Sequence, residues 1–151
     1  MWVESTALQT NVLRLLQNQV SVDFKAAQID YLLDQGLAQL VNYPIPGLGR
    51  TLFQHCVATL SDQELVIIEK MLVYADLGLK DECGLSVFDS LVPVQWTKQR
   101  IFLRLLEEVD DPARTCIILR AALKAGSSLE AVLLERFRMA YWELESKSLD
   151  F

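Results

Sequence analysis

Gly49-Arg50-Thr51-Leu52-Phe53 and Gly84-Leu85-Ser86-Val87-Phe88 are the stretches that decide the fold. In each, a glycine is followed two residues later by a hydroxyl side chain and then by an apolar pair. The glycines stand 35 residues apart. A glycine permits a backbone angle that a Cβ would forbid. Ser or Thr at the next-but-one position caps a helix by accepting from a free backbone N–H. The same local device at a fixed distance predicts a repeated structural unit.

Outward from these anchors, apolar residues recur with helical periodicity. Leu8, Val12, Leu15 and Leu16 share one face, as do Phe24, Ala27, Tyr31 and Leu32 over about 23–35, with Gly36 as the expected stop. Asn42-Tyr43-Pro44-Ile45-Pro46-Gly47-Leu48-Gly49 holds two prolines and two glycines and predicts a turn or hairpin. A short helix is expected over 51–59. Ser61-Asp62-Gln63-Glu64 has capping-box spacing and predicts the start of a helix ending near Tyr74. A polar loop over 76–84 leads to an expected short helix from Ser86 to about Leu91, stopped before Pro93. Further helices are expected over 98–108, 113–124 and 128–145, broken by Asp110-Asp111-Pro112 and by Gly126-Ser127-Ser128. No stretch alternates as a strand would, so the expected class is all-α.

Asp81 and Gly84, with Ser86, Phe88 and Asp89 behind them, resemble the ankyrin-repeat loop and first helix, Asp-x-x-Gly then Thr-Pro-Leu-His. Ser86 stands for the Thr, Phe88 for the Leu and Asp89 for the His. One unit earlier Gly49 and Thr51 match, Phe53 stands for the Leu and Gln54 for the His. Leu32-Leu33-Asp34-Gln35-Gly36 is similar to the family's second-helix ending, Leu-Leu-x-x-Gly. Leu52 and Val87 replace the family's proline, both histidines are missing, and residues 113–151 match poorly. The resemblance implies one domain over 1–151, an α-solenoid of stacked helix-loop-helix ankyrin-like repeats. Its units are about 5–42, 43–78 and 79–111, with terminal capping helices over 112–146. The alternatives are another array of α-hairpins or an irregular helical bundle.

The chain has 151 residues, a net charge of −6 and 52% apolar residues, a globular composition. Residues 1–80 carry 5 basic and 8 acidic side chains and residues 81–151 carry 9 and 12, so neither half is a basic arm. Nucleic-acid affinity rests on cations meeting phosphates, so no nucleic-acid partner is expected. No apolar run of about 18 residues occurs, so no membrane span is expected. Met1-Trp2-Val3-Glu4 lacks the basic and apolar regions of a signal peptide. Cys56, Cys83 and Cys116 are odd in number and far apart, which suits free thiols in a reducing compartment. The expectation is the cytoplasm, or a host's cytoplasm for a secreted effector or viral protein.

Chemistry-bearing residues are few. His55 adjoins Cys56, but neighbours on a helix point about 100° apart and cannot work as a nucleophile–base pair. One His and three scattered Cys make no zinc site, so no metal or cofactor is expected. The glycine-rich run 47–51 lacks the Lys-Ser/Thr ending of a phosphate-binding loop. Lys98, Arg100 and Arg104 suggest a basic stripe, yet Glu107 and Glu108 lie where Arg104 can pair locally. Glu107, Glu108, Asp110 and Asp111 suit a helix exit and a new N-cap better than a cation site. Tyr43, Ile45 and Leu48 are apolar on a turn and need covering, either by the next repeat or by a partner. The resemblance adds Arg50, Glu82 and Leu85, which fall where ankyrin loops make contacts. The function it implies is a non-catalytic protein–protein interaction module, an adaptor, inhibitor or effector, with these six as partner-binding residues. The alternatives are a helical small-molecule-binding protein or enzyme, and a structural subunit of a larger assembly. The expected state is a monomer or weak self-association, the latter through Phe137, Tyr141 and Trp142. Trp2 and Trp96 are either contact residues or packing.

Overall fold

The computed structural model describes residues 2–126 and 129–148. Ser127 and Ser128 of the expected break, and the side chain of Trp2, lie outside the described residues. Every regular element among the described residues is helical. Extended backbone pairs once, in an isolated antiparallel bridge between Pro44 and Thr51. The chain forms two compact units, Met1–Ser90 and Leu91–Phe151.

In the first unit α1 is Trp2–Gln17, α2 Val22–Asp34, α3 Leu52–Thr59 and α4 Leu65–Leu72, with a 3-10 turn at Leu37–Leu40. Ser21 caps α2 by accepting from the Phe24 N–H at 3.1 Å. Gly36 ends the segment at φ 115°, a left-handed angle. α4 packs on α2 and α3, and α1 on α2 and the 3-10 turn. Val12, Ile29, Leu37, Leu52, Phe53, Cys56, Ile67, Ile68 and Met71 are buried. Lys25 is buried along its stem, and its Nζ donates to the Leu16 carbonyl at 3.0 Å, satisfying an acceptor at the end of α1.

Thr51 and Gln54 form a full capping box. The Gln54 N–H donates to Thr51 Oγ1 at 3.1 Å and the Thr51 N–H to Gln54 Oε1 at 2.8 Å. Before α4, the Ser61 N–H reaches Glu64 Oε1 at 3.5 Å over a 3-10 turn, Asp62–Glu64. The helix expected from Ser86 to Leu91 is only a turn with a 3-10 segment, Asp89–Leu91. Pro93 explains the shortfall, because it has no N–H to donate and disfavours helical angles at Val92.

Amide side chains tie the first unit's loops together. Gln9 Nε2 donates to the Tyr43 carbonyl at 3.3 Å. Asn42 Nδ2 donates to the Tyr74 carbonyl and Asn42 Oδ1 accepts from the Asp76 N–H, both at 2.8 Å. Gln54 Nε2 donates to the Leu79 carbonyl at 3.1 Å. Loop backbone cannot bond to itself as a helix does, so these amides supply the missing partners.

In the second unit α5 is Gln99–Glu107, α6 Pro112–Ala125 and α7 Glu130–Ser148. Arg104 pairs with Glu108 at 2.6 Å, the local ion pair that the spacing predicts. Asp111 caps α6 by accepting from the Ala113 N–H at 3.0 Å, with Pro112 as the first helical residue. α6 and α7 form a helical hairpin, with Leu119, Ala122, Leu133 and Ala140 buried.

Asn42→Ala is expected to destabilise the protein by about 1–2 kcal/mol in urea unfolding, since two hydrogen bonds are lost together. The Asp76 amide should exchange faster with solvent than in the parent, while the Ile68 amide in α4 changes only as far as global stability does.

Candidate functional site

The loops at 43–50 and 81–85 lie edge to edge. The Glu82 N–H donates to the Gly49 carbonyl at 2.9 Å. Each loop is closed on itself first. In the former, the Ile45 N–H donates to the Arg50 carbonyl at 2.8 Å and the Leu48 N–H to the Ile45 carbonyl at 3.0 Å. In the latter, the Asp81 N–H donates to the Leu85 carbonyl at 2.9 Å, and Asp81 Oδ1 accepts from the Cys83 and Leu85 N–H groups at 2.8 and 3.0 Å. Gly49 and Gly84 both take left-handed angles, φ 69° and 79°. The left-handed angle favours glycine at 49, and a Cβ there would also displace the exposed Glu82 carboxylate.

This arrangement sorts the six sequence-derived residues. Tyr43, Leu48 and Leu85 are exposed, at 58%, 43% and 48%. Glu82 is exposed and lies against Gly49. Ile45 is 5% exposed and turned inward, where it anchors the turn and is out of a partner's reach. Arg50 is half-buried, and its Nε and Nη2 lie 3.2 and 2.7 Å from His55 Nδ1. A guanidinium can only donate, so Nδ1 accepts and the proton sits on Nε2.

The three amides that stitch the loops, Gln9, Asn42 and Gln54, were not among the expected site residues. Their signal is the spacing: Gln9 to Tyr43 and Asn42 to Asp76 each span 34 residues. Other apolar side chains are exposed too; of Val66, Val73, Tyr74 and Trp96, sequence reasoning singled out only Trp96 for contact or packing. Val66, Val73 and Tyr74 line a 680 Å³ groove beside the Lys70–Asp30 ion pair, 2.7 Å long. Trp96 is exposed on a 3-10 turn, Trp96–Lys98.

The titratable groups sit in settings of a structural kind. Burial lowers the His55 pKa from 6.5, and the Arg50 charge lowers it further. Burial pushes the Cys56 thiol from 9.0 up to about 12, with Glu64 adding to the rise. A thiol held protonated is a poor nucleophile. Among the described residues no three His, Cys, Asp or Glu side chains are placed to hold a metal ion. No described helix is long and apolar enough to cross a membrane. Comparison with protein-family models, curated proteins and solved structures finds no match to this chain.

Two measurements check the electrostatics. A thiol reagent at neutral pH should label exposed Cys83 first and buried Cys56 only at the rate of unfolding. Because the folded Cys56 thiol binds its proton more tightly than the unfolded one, its contribution to stability should be lost as pH rises from 9 towards about 12. For His55 the sign is reversed. The folded ring resists protonation, so stability falls as pH drops below 6.5, and Arg50→Met should raise the ring's NMR titration midpoint.

Proposed function

We propose that this chain is a non-catalytic protein-binding module built on ankyrin-like repeats. Equivalent bonds at equivalent positions support the repeat reading. The Thr51 N–H donates to Gln54 Oε1 at 2.8 Å, and 35 residues on the Ser86 N–H donates to Asp89 Oδ2 at 2.7 Å. Both follow a left-handed glycine. The loop-stitching bonds at 34 residues have the same near-33 period. In this reading Gln54 and Asp89 do the work of the family's histidine. Gln54 both closes its cap and reaches forward to the Leu79 carbonyl of the following loop.

One observation carries the binding role. Tyr43, Leu48 and Leu85 are exposed on loops whose backbones are internally bonded and joined through Glu82 and Gly49. Apolar side chains on a mobile loop could fold inward; on a bonded loop they stay in water until a partner covers them. Preformed loops also lose little entropy on binding, which favours affinity. The contact patch is therefore Tyr43, Leu48 and Leu85 with Glu82 at its edge, and the partner is a protein with an apolar recess. The three free cysteines, one of them exposed, suit work in the cytoplasm.

Affinity capture with the full chain from its native cells tests the reading. The expected result is a stoichiometric protein partner whose affinity drops roughly tenfold or more for Tyr43→Ala with Leu48→Ala. The melting temperature should stay near that of the parent, because both side chains are exposed. A partner retained at full affinity by Tyr43→Ala, Leu48→Ala and Leu85→Ala together would overturn it, as would a small molecule that copurifies and raises the melting temperature in place of a protein.

A further inference from the structure

One side of α7 packs on α6, and Arg138, Met139 and Trp142 also line a groove with Leu106, Glu107 and Asp110 of the same unit. Leu133 and Ala140 are buried, and Phe137 and Leu144 are half-buried. At 100° per residue these four fall within one narrow sector, towards α6. Phe137 and Tyr141 stack at 6.1 Å along that flank. The opposite side carries Ala131, Glu135, Arg138 and Trp142, all exposed, Trp142 by 71%. Their spacings of four, three and four residues are those of a two-helix seam. An exposed tryptophan on a helix face keeps a large apolar area in water.

The charges on this seam decide which partner fits it. A parallel second copy would set Glu135 on Glu135 and Arg138 on Arg138. An antiparallel copy centred on residue 140 would set Glu135 on Glu145. An antiparallel copy centred between residues 136 and 137 sets Glu135 on Arg138 and, by symmetry, Arg138 on Glu135. The same register lays Trp142 over Ala131 twice, large against small. Leu134 and Tyr141 then flank the seam on one side and Val132 and Met139 on the other, so each apolar flank meets its own counterpart. A surface that complements itself under a two-fold rotation is the requirement for an isologous dimer.

We propose that α7 is a self-association helix, through which two copies of this chain pair antiparallel about a two-fold axis passing between residues 136 and 137. The interface has two reciprocal Glu135–Arg138 ion pairs and two Trp142–Ala131 contacts. Its residues are not those of the loop patch at 43–50 and 81–85, so one dimer carries two copies of that patch.

Light scattering on the full chain over a range of concentrations tests the pairing. The expected mass is twice the 17.1 kDa of one chain, falling to one chain on dilution. Glu135→Arg or Arg138→Glu alone should weaken the dimer roughly tenfold or more, since each replaces two attractions by two repulsions. The doubly reversed chain, Glu135→Arg with Arg138→Glu, should restore it. Trp142→Ala should weaken it without lowering helical circular dichroism, because that side chain is exposed in the monomer. A chain that stays monomeric at every concentration overturns the proposal. So does a dimer indifferent to the single reversals, or a double reversal that fails to recover the dimer.

Discussion

The structure of the first unit depends on how non-helical backbone finds hydrogen-bond partners beside a packed core. Helices satisfy their own N–H and C=O groups; the segments 41–51 and 74–86 do so only in part. Burying Leu52 and Phe53 immediately after such a segment brings unpaired N–H groups to the edge of the core. Thr51 and Gln54 meet that demand inside the helix start, with Thr51 and Gln54 both buried. Asn42 and Gln9 meet it from a distance, across 34 residues of chain. The Thr51–Gln54 bonds are buried, where water could not replace them, whereas the Asn42 bonds lie at the surface.

The loop patch follows from the same constraint. The Glu82 N–H meets the Gly49 carbonyl at 2.9 Å, at a glycine whose left-handed angle other residues rarely adopt. Closing the backbones inward leaves the side chains of Tyr43, Leu48 and Leu85 outward, while Ile45 pins the turn to the core. Rigidity and exposed apolar surface thus have one origin. The Arg50–His55 contact adds a second brace, and burial and the Arg50 charge both lower the ring's pKa, favouring the neutral form that can accept.

The second unit answers a different demand. The α6–α7 hairpin buries Leu119, Ala122, Leu133 and Ala140 and leaves much apolar surface of α7 in water. Two packed helices cannot cover all their faces, so apolar side chains of α7 stay exposed. The mixed charge of α7 gives that face a directional preference that an all-apolar stripe would lack.

Much of the helical layout was legible in the residues. Apolar periodicity, the Ser61–Glu64 spacing, the Thr51 cap and Asp111-Pro112 all act within one turn of chain, and local chemistry is what a sequence displays. Arg104 finding Glu108 belongs to the same range. The expected helix at 86–91 shrank to a 3-10 segment because Pro93 cuts it short on one side and the loop bonds of Asp81 hold it on the other. What only the tertiary structure decided lies at long range. It turned Ile45 inward and Tyr43 outward though both are apolar turn residues, and brought Glu82 to Gly49. Those outcomes depend on which loop lies beside which, a relation between segments more than 30 residues apart that no local pattern records.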